Sequence, residues 1–475
     1  MREHDLLRQL TEYAESDAYP FHMPGHKRNA AELPDGLPYS IDITEIDGFD
    51  DLHAPEGVLQ DLNLRLSQLF GAEYSFALVN GSTCGILAGI AAAVRRGDTV
   101  LMARNCHRSV YNAVALLGLR PLYIQPPTDA ATGIAGSIAP ESVRAALEQH
   151  TDVRLLVLTS PTYDGVLSDV TSIVKIAHQK NLPVLVDEAH GAHLAFTAKK
   201  QLSAVQAGAD IVIHSLHKTL PSLTQTAAAH ICGTRISPTV FAQKLSVFET
   251  SSPSYVLLAS VAACVRFLEE RAESAFAAYE NRLQSFSESC QTLKMLSVLC
   301  KGADTLSAHP TFFDFDGGKL PIVTTHTTLD GTALLQKLRK DYALEGEMAA
   351  IPYALLMTSV CDTDAGFQRL AAALAEIDRT AAPATSIPSF QTLSLPKLHC
   401  TPAEASAHKT QSLTFQACVG RVSAETVLCY PPGIPLVVPG EVISAEAAQA
   451  VEYAQKHGLF VRTSGRNFPY IAVFD

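Results

Sequence analysis

The sequence predicts an α/β fold, a mostly parallel sheet with helices on both faces, and three observations predict it. From about residue 75 the chain repeats a short apolar run, a polar or glycine-bearing cluster and a helical stretch. The apolar runs are nearly continuous rather than alternating, as in strands buried on both faces. The unusual polar residues follow directly on these runs, at the strand ends where doubly wound sheets bind their ligands.

The runs are SFALVN (75–80), DTVLMA (98–103), RPLYIQ (120–125), VRLLVLT (153–159), LPVLVD (182–187) and ADIVIHS (209–215). Six such alternations make a three-layer domain. A helix is legible after Ser168-Asp169 as a cap, with Ile173, Val174, Ile176 and Ala177 as its apolar stripe and Lys175, His178 and Gln179 on its wet side. Residues 1–60 hold a short helix and a polar, Pro/Gly-punctuated segment too poor in apolar residues to be a domain, so they read as an arm draped over the rest. The large domain is expected over 61–305 and a smaller α/β region over 306–380. A Pro/Ser/Ala/Thr-rich linker (381–408) and a C-terminal unit (409–475) complete the chain.

Composition narrows the function. The 475 residues carry 36 Lys+Arg against 48 Asp+Glu, a net charge of −12, which argues against a nucleic-acid or anionic-membrane partner. Charged residues make up 18% of the chain, below the roughly 25% of average soluble proteins, so a large surface is expected to be buried, in part between subunits. Ten cysteines without CxxC spacing suit a reducing compartment, and the charged N-terminus lacks a signal peptide's apolar core. The uncharged stretch from Phe76 to Val94 is broken by Asn80-Gly81-Ser82-Thr83 and is too interrupted for a span of about 20 apolar residues. The expected location is cytoplasmic.

Four strand-end clusters carry the chemistry. Gly81-Ser82-Thr83 opens a helix with backbone N–H groups and two hydroxyls, suited to a phosphate, though it is neither a P-loop nor a dinucleotide fingerprint and is also an ordinary N-cap pattern. His107 follows the second run and could stack on a planar ligand, move a proton or simply bond the loop. Asp187 ends the fifth run, with Glu188 beside it and His190 and His193 in the next turn; the spacing is not HExxH and no metal is expected. Lys218 lies just past the sixth run among Leu216, Leu220 and Leu223, where partial desolvation would free its amine as a nucleophile. Jointly, a phosphate turn, a stacking histidine, a strand-end acid and a lysine 31 positions beyond it specify pyridoxal 5'-phosphate.

FHMPGHK, DITEIDGFDDLHAPEG, NGSTCG, RNCHRS, SPTYDG, VDEAHGAH, HSLHKTLPSLTQ, FETSSPSY and CYPPGIPLVVPGE occur in order from about residue 20 to 445. Together they resemble the bacterial ornithine/lysine/arginine decarboxylases, in their short form. The resemblance implies the aspartate-aminotransferase fold (fold type I) with a seven-stranded sheet, and decarboxylation of a basic amino acid. It implies that Lys218 holds the cofactor as a Schiff base, that Asp187 pairs with the pyridine nitrogen and that His107 stacks on the ring. His190 would lie near the ring edge, and Ser82, Thr83, Ser215 and His217 would surround the phosphate and its lysine. The segment Thr250-Ser251-Ser252 would reach a neighbouring subunit's phosphate, with Ser251 nominated and the choice of hydroxyl open. A homodimer or small homo-oligomer with shared sites follows. The proton donor at Cα would be Lys218 or a histidine. Glu45, Asp47, Asp50, Asp51, Glu345 and Glu347 are candidates for the substrate's cationic tail. Other fold-type-I enzymes, a cysteine desulfurase or a β-eliminating lyase, and a non-catalytic regulatory relative stay open; the first two would want a nucleophilic cysteine, for which only Cys84 and Cys106 sit on suitable loops.

Overall fold

The computed structural model describes residues 5–29, 31–300, 303–430, 434–465 and 468–475, so Pro431-Pro432-Gly433 of the CYPPGIPLVVPGE stretch lie outside the described residues. The principal sheet contains β1 (Tyr74–Leu78), β2 (Thr99–Ala103), β3 (Arg120–Ile124), β4 (Val153–Thr159), β5 (Val184–Asp187), β6 (Ile211–His214) and β7 (Ala227–Ile231). Their order is β1-β7-β6-β5-β4-β2-β3. β2 runs parallel to β3 and β4, and β5 to β6, while β7 is antiparallel to both β6 and β1. The six apolar runs become β1 to β6. β7 is AAAHI, and alanine has little strand propensity, so only its buried place between two neighbours makes it a strand.

The chain packs as two compact units, Met1–Ala93 with Pro183–Phe276, and Val94–Leu182 with Ala277–Asp475. In the first unit, α1 (Leu6–Glu15) is capped by Asp5, and α2 (Val58–Phe70) and α3 (Gly81–Ala93) follow. Glycine lets α3 lie close on the sheet: a Cβ on Gly85 would come within 2.8 Å of Leu78 Cδ1, and one on Gly89 within 2.8 Å of Leu185 Cδ1. Between α1 and α2 the described residues of the arm form no helix. It is held by side chains instead, Tyr255 donating its hydroxyl to the carbonyls of Phe49 and Asp50, and His53 Nε2 lying 2.9 Å from the Thr250 carbonyl oxygen.

In the second unit α4 (Arg108–Leu117) joins β2 to β3 and α5 (Pro140–Gln149) joins β3 to β4, with α6 (Val170–Gln179) following β4. Asp169 caps α6 as its sequence predicts, accepting the Ser172 N–H at 2.9 Å. A smaller antiparallel sheet follows, β8 (Ser297–Val298), β9 (Lys319–Val323), β10 (Met348–Ala349) and β11 (Tyr353–Met357), in the order β10-β11-β9-β8. Residues 384–397 hold no helix or strand, yet they are strapped down: Phe390 N–H donates to the Ala130 carbonyl at 3.0 Å and Thr128 N–H to Thr392 Oγ1 at 2.8 Å. The C-terminal strands pack around Phe415, Val427, Val437, Ile443, Val451 and Ile471.

A buried ion pair ties that C-terminal core to the end of β2. Arg104 donates to Glu441 Oε1 at 2.6 Å and Oε2 at 2.9 Å, and the carboxylate also accepts the Val438 N–H at 2.9 Å. Removing one partner of such a pair strands a desolvated charge. Glu441→Ala is therefore expected to destabilise the chain by about 3–5 kcal/mol, read from denaturant midpoints, and a change below about 1 kcal/mol would contradict this account. Among the described residues no helix is long and apolar enough to cross a membrane.

Candidate active site

The first unit brings several predicted residues together at the carboxyl ends of β5 and β6. Asp187, the last residue of β5, is 3% exposed, and its Oδ1 accepts the Ala189 N–H at 3.2 Å. A turn closed by Gly191 N–H on the Glu188 carbonyl (2.9 Å) returns the chain so that His190 is also buried. β6 ends at His214, and one helical turn, Leu216–Thr219, carries Lys218 back over the strand end. Lys218 Nζ lies 3.1 Å from His190 Nε2.

Beside them, Ser215 donates its hydroxyl to Ser82 Oγ at 2.9 Å, joining the β6 end to the first turn of α3. Gly81 opens that turn at φ +73°, and a Cβ there would meet only the Gln225 carbonyl, at 3.9 Å. Thr83 is exposed on the same turn, whose N–H groups have no acceptor within the helix. His217 lies 2.8 Å from the Thr226 carbonyl through Nδ1. Its imidazole is held below the usual range by burial, with the nearby Lys218 charge acting in the same direction, so it is neutral and Nδ1–H is the donor.

His107 belongs to the second unit, on the loop after β2. It is exposed and caps α4: its Nδ1 accepts the Ser109 N–H at 3.3 Å and lies 2.8 Å from Ser109 Oγ. Ser251 is exposed on the loop after Glu249. Cys84 and Cys106 are both buried, and burial beside Glu249 raises the Cys84 thiol far above its ordinary value. Neither is placed to serve as the mobile nucleophile that a desulfurase would want.

The acidic candidates for a cationic tail separate by their partners. Asp50 accepts the N–H groups of Gly57 and Leu59 and so holds the start of α2. Asp51 accepts from the His53 N–H, Glu345 pairs with Arg339, and Glu347 takes the Tyr163 hydroxyl. Asp47 is exposed. Glu45 differs: its Oε1 is buried with no hydrogen-bond partner among the described residues.

Two groups escaped the sequence reading. Glu249 Oε1 accepts the N–H groups of Val79 (2.6 Å) and Asn80 (3.3 Å), fixing the turn into α3 from a segment 170 residues away. No local pattern announces such a contact. The second is a line of buried polar residues from Glu188 to Ser75, described below.

A mostly parallel seven-stranded sheet with one antiparallel strand, an acid ending β5 and a lysine one turn past β6 define the class, a fold-type-I α/β enzyme. A structure of SPT with PLP shares the fold at a TM-score of 0.55 and 12% identity, over 79% of this chain and 84% of that one. The Francisella novicida lysine decarboxylase matches more fully, at a TM-score of 0.84 and 20% identity over 99% of this chain and 81% of that chain.

The chain belongs to the Orn/Lys/Arg decarboxylase family. The family's major domain matches residues 5–305 and its C-terminal domain residues 387–469. An arginine decarboxylase of Bacillus subtilis is 34% identical over 459 residues, 94% of this chain and 93% of the relative.

Proposed function

We propose that the chain is a pyridoxal-phosphate-dependent decarboxylase acting on lysine, arginine or ornithine to give CO₂ and the corresponding amine. The observation that carries this reading is the Lys218–His190 contact at 3.1 Å, in a chain matched by the family over 5–305. The donor set suits the cofactor. It comprises an amine beside a histidine, a buried strand-end carboxylate, two mutually bonded hydroxyls and a helix N-terminus with room at Gly81. Lys218 would hold the cofactor covalently and Asp187 would face its ring nitrogen. Ser82, Thr83, Ser215 and His217 would surround its phosphate, with His107 on the ring face and His190 at its edge. Ser251 would reach the phosphate of a second copy in a homodimer. When bound, pyridoxal phosphate supplies an electron sink for the pair left behind as CO₂ departs.

The chain's own residues supply position and proton control. Lys218 as an ammonium donates to His190 Nε2; passing that proton to the imidazole leaves a neutral amine, the form that attacks a carbonyl carbon. Run in reverse, the same pair can deliver a proton to the substrate's Cα. Asp187, oriented by the Ala189 N–H and shielded from water, would offer its carboxylate to the cofactor's ring nitrogen. Neutral His217, with its Nδ1–H committed to Thr226, adds no second cation beside Lys218. The reading is tested by following CO₂ from the three basic amino acids against sulfide from cysteine. CO₂ supports it, and sulfide alone would favour a desulfurase.

A further inference from the structure

Behind Asp187 and Lys218 runs a line of polar side chains, one from each of four neighbouring strands of the first unit or its end. Glu188 follows β5, His214 ends β6, His230 lies in β7 and Ser75 in β1, and these strands are adjacent in the sheet. Glu188 Oε2 is 2.7 Å from His214 Nε2, His214 Nδ1 is 3.1 Å from His230 Nε2, and His230 Nδ1 is 2.8 Å from Ser75 Oγ. All four are buried, both histidines completely. Side chains alternate along a strand, so Glu188 and His214 point away from the face that carries Asp187 and Ser215.

The surroundings fix how protons lie along this line. The Phe70 ring packs 4.8 Å from both imidazoles, and Phe196 packs on Phe70. Glu188 Oε1 accepts the Ala204 N–H at 2.8 Å, and Ser203 Oγ donates to Oε2 at 3.3 Å. The titratable neighbour facing the line is His193, from the turn Ala192–Phe196, with Asp187 adjacent in the chain. Burial holds both imidazoles neutral and pushes the Glu188 carboxyl up to about 8. The order that satisfies every group at neutral pH is then Glu188 O–H to His214 Nε2, His214 Nδ1–H to His230 Nε2, and His230 Nδ1–H to Ser75 Oγ. Ionising Glu188 requires each of these donors to reverse.

We propose that Glu188 is a positioning residue: through His214, His230 and Ser75 it clamps the ends of β5 and β6, and so sets where Asp187 and the Ser215–Lys218 turn stand. The kinetic consequence rests on the decarboxylase reading. The clamp itself does not, and it can be read in the chain without cofactor.

Glu188→Gln offers an amide N–H to His214 Nε2 and preserves the order of donors, whereas Glu188→Ala breaks it. In histidine ¹⁵N spectra of the cofactor-free chain, His214 and His230 are expected as Nδ1–H tautomers in wild type and in Glu188→Gln. The stability of the two should diverge with pH. The folded carboxyl keeps its proton up to about 8 while the unfolded one loses it near 4.5, so wild type loses stability relative to Glu188→Gln across that window and no further above it. In the loaded enzyme, Glu188→Ala is expected to lower kcat by about 10- to 100-fold with KM little changed, and Glu188→Gln to stay within about threefold.

Equal damage from Gln and Ala, an unchanged kcat in Ala, or a melting difference that is flat with pH would overturn the proposal. Should Glu188→Ala fail to fold, the tautomers and melting slope of Glu188→Gln still decide it. Should no basic amino acid be decarboxylated, the function proposed above fails, and the cofactor-free measurements alone decide the clamp.

Discussion

Lys218→Ala is expected to abolish decarboxylation, leaving no more than about one thousandth of the wild-type kcat, because it removes the amine that lies 3.1 Å from His190 Nε2. The loss is expected without unfolding, since Lys218 is half-buried on a single helical turn, Leu216–Thr219, and not part of the core. The reconstituted variant should also lack the absorbance near the visible edge that a lysine-linked cofactor gives. Lys218→Arg separates two explanations. A guanidinium keeps the charge but cannot shed its proton, so the arginine variant should be as inactive as the alanine one. If Lys218 served only as a cation, arginine would restore turnover. Activity within tenfold of wild type in Lys218→Ala would remove Lys218 from the reaction.

Asp187→Ala is expected to lower kcat by about 10²- to 10³-fold while cofactor still binds. Asp187 ends β5 at 3% exposure with one oxygen fixed by the Ala189 N–H, so its carboxyl group is both oriented and shielded from water. Binding survives because the amine and the hydroxyl pair of Ser82 and Ser215 are untouched. Asp187→Asn keeps the shape and removes the charge, and it should lose nearly as much rate as alanine. If asparagine were fully active, the carboxylate would be only a hydrogen-bonding strut. An unaffected rate in Asp187→Ala would remove the role altogether.

The strands that carry these groups were legible because β1 to β6 are apolar runs of a length that only a doubly covered sheet explains. Lys218, Asp187, Ser82 and Ser215 stood out because each is a polar residue placed directly on the end of such a run. β7 was not legible from its residues: its first three, Ala227-Ala228-Ala229, have neither β-branched bulk nor alternation, and neighbours on both sides make it a strand.

The same tertiary origin hides the Glu188–His214–His230–Ser75 line. Each member is unremarkable in its own strand, and the pattern exists only once β5, β6, β7 and β1 lie side by side. Glu188 in particular reads as a neighbour of Asp187 rather than as a buried acid. The acidic candidates for the substrate's tail show the opposite case. Sequence offered six, and the structure commits Asp50 to the start of α2 and Glu345 to Arg339, roles that no residue type could disclose.

The most direct test of the account is release of CO₂ from carboxyl-labelled lysine, arginine and ornithine by the purified chain with added pyridoxal phosphate, alongside Lys218→Ala. Labelled CO₂ from at least one of the three, matched mole for mole by its amine and absent from the variant, is the predicted result. No CO₂ from any of them, or equal release by the variant, would contradict it.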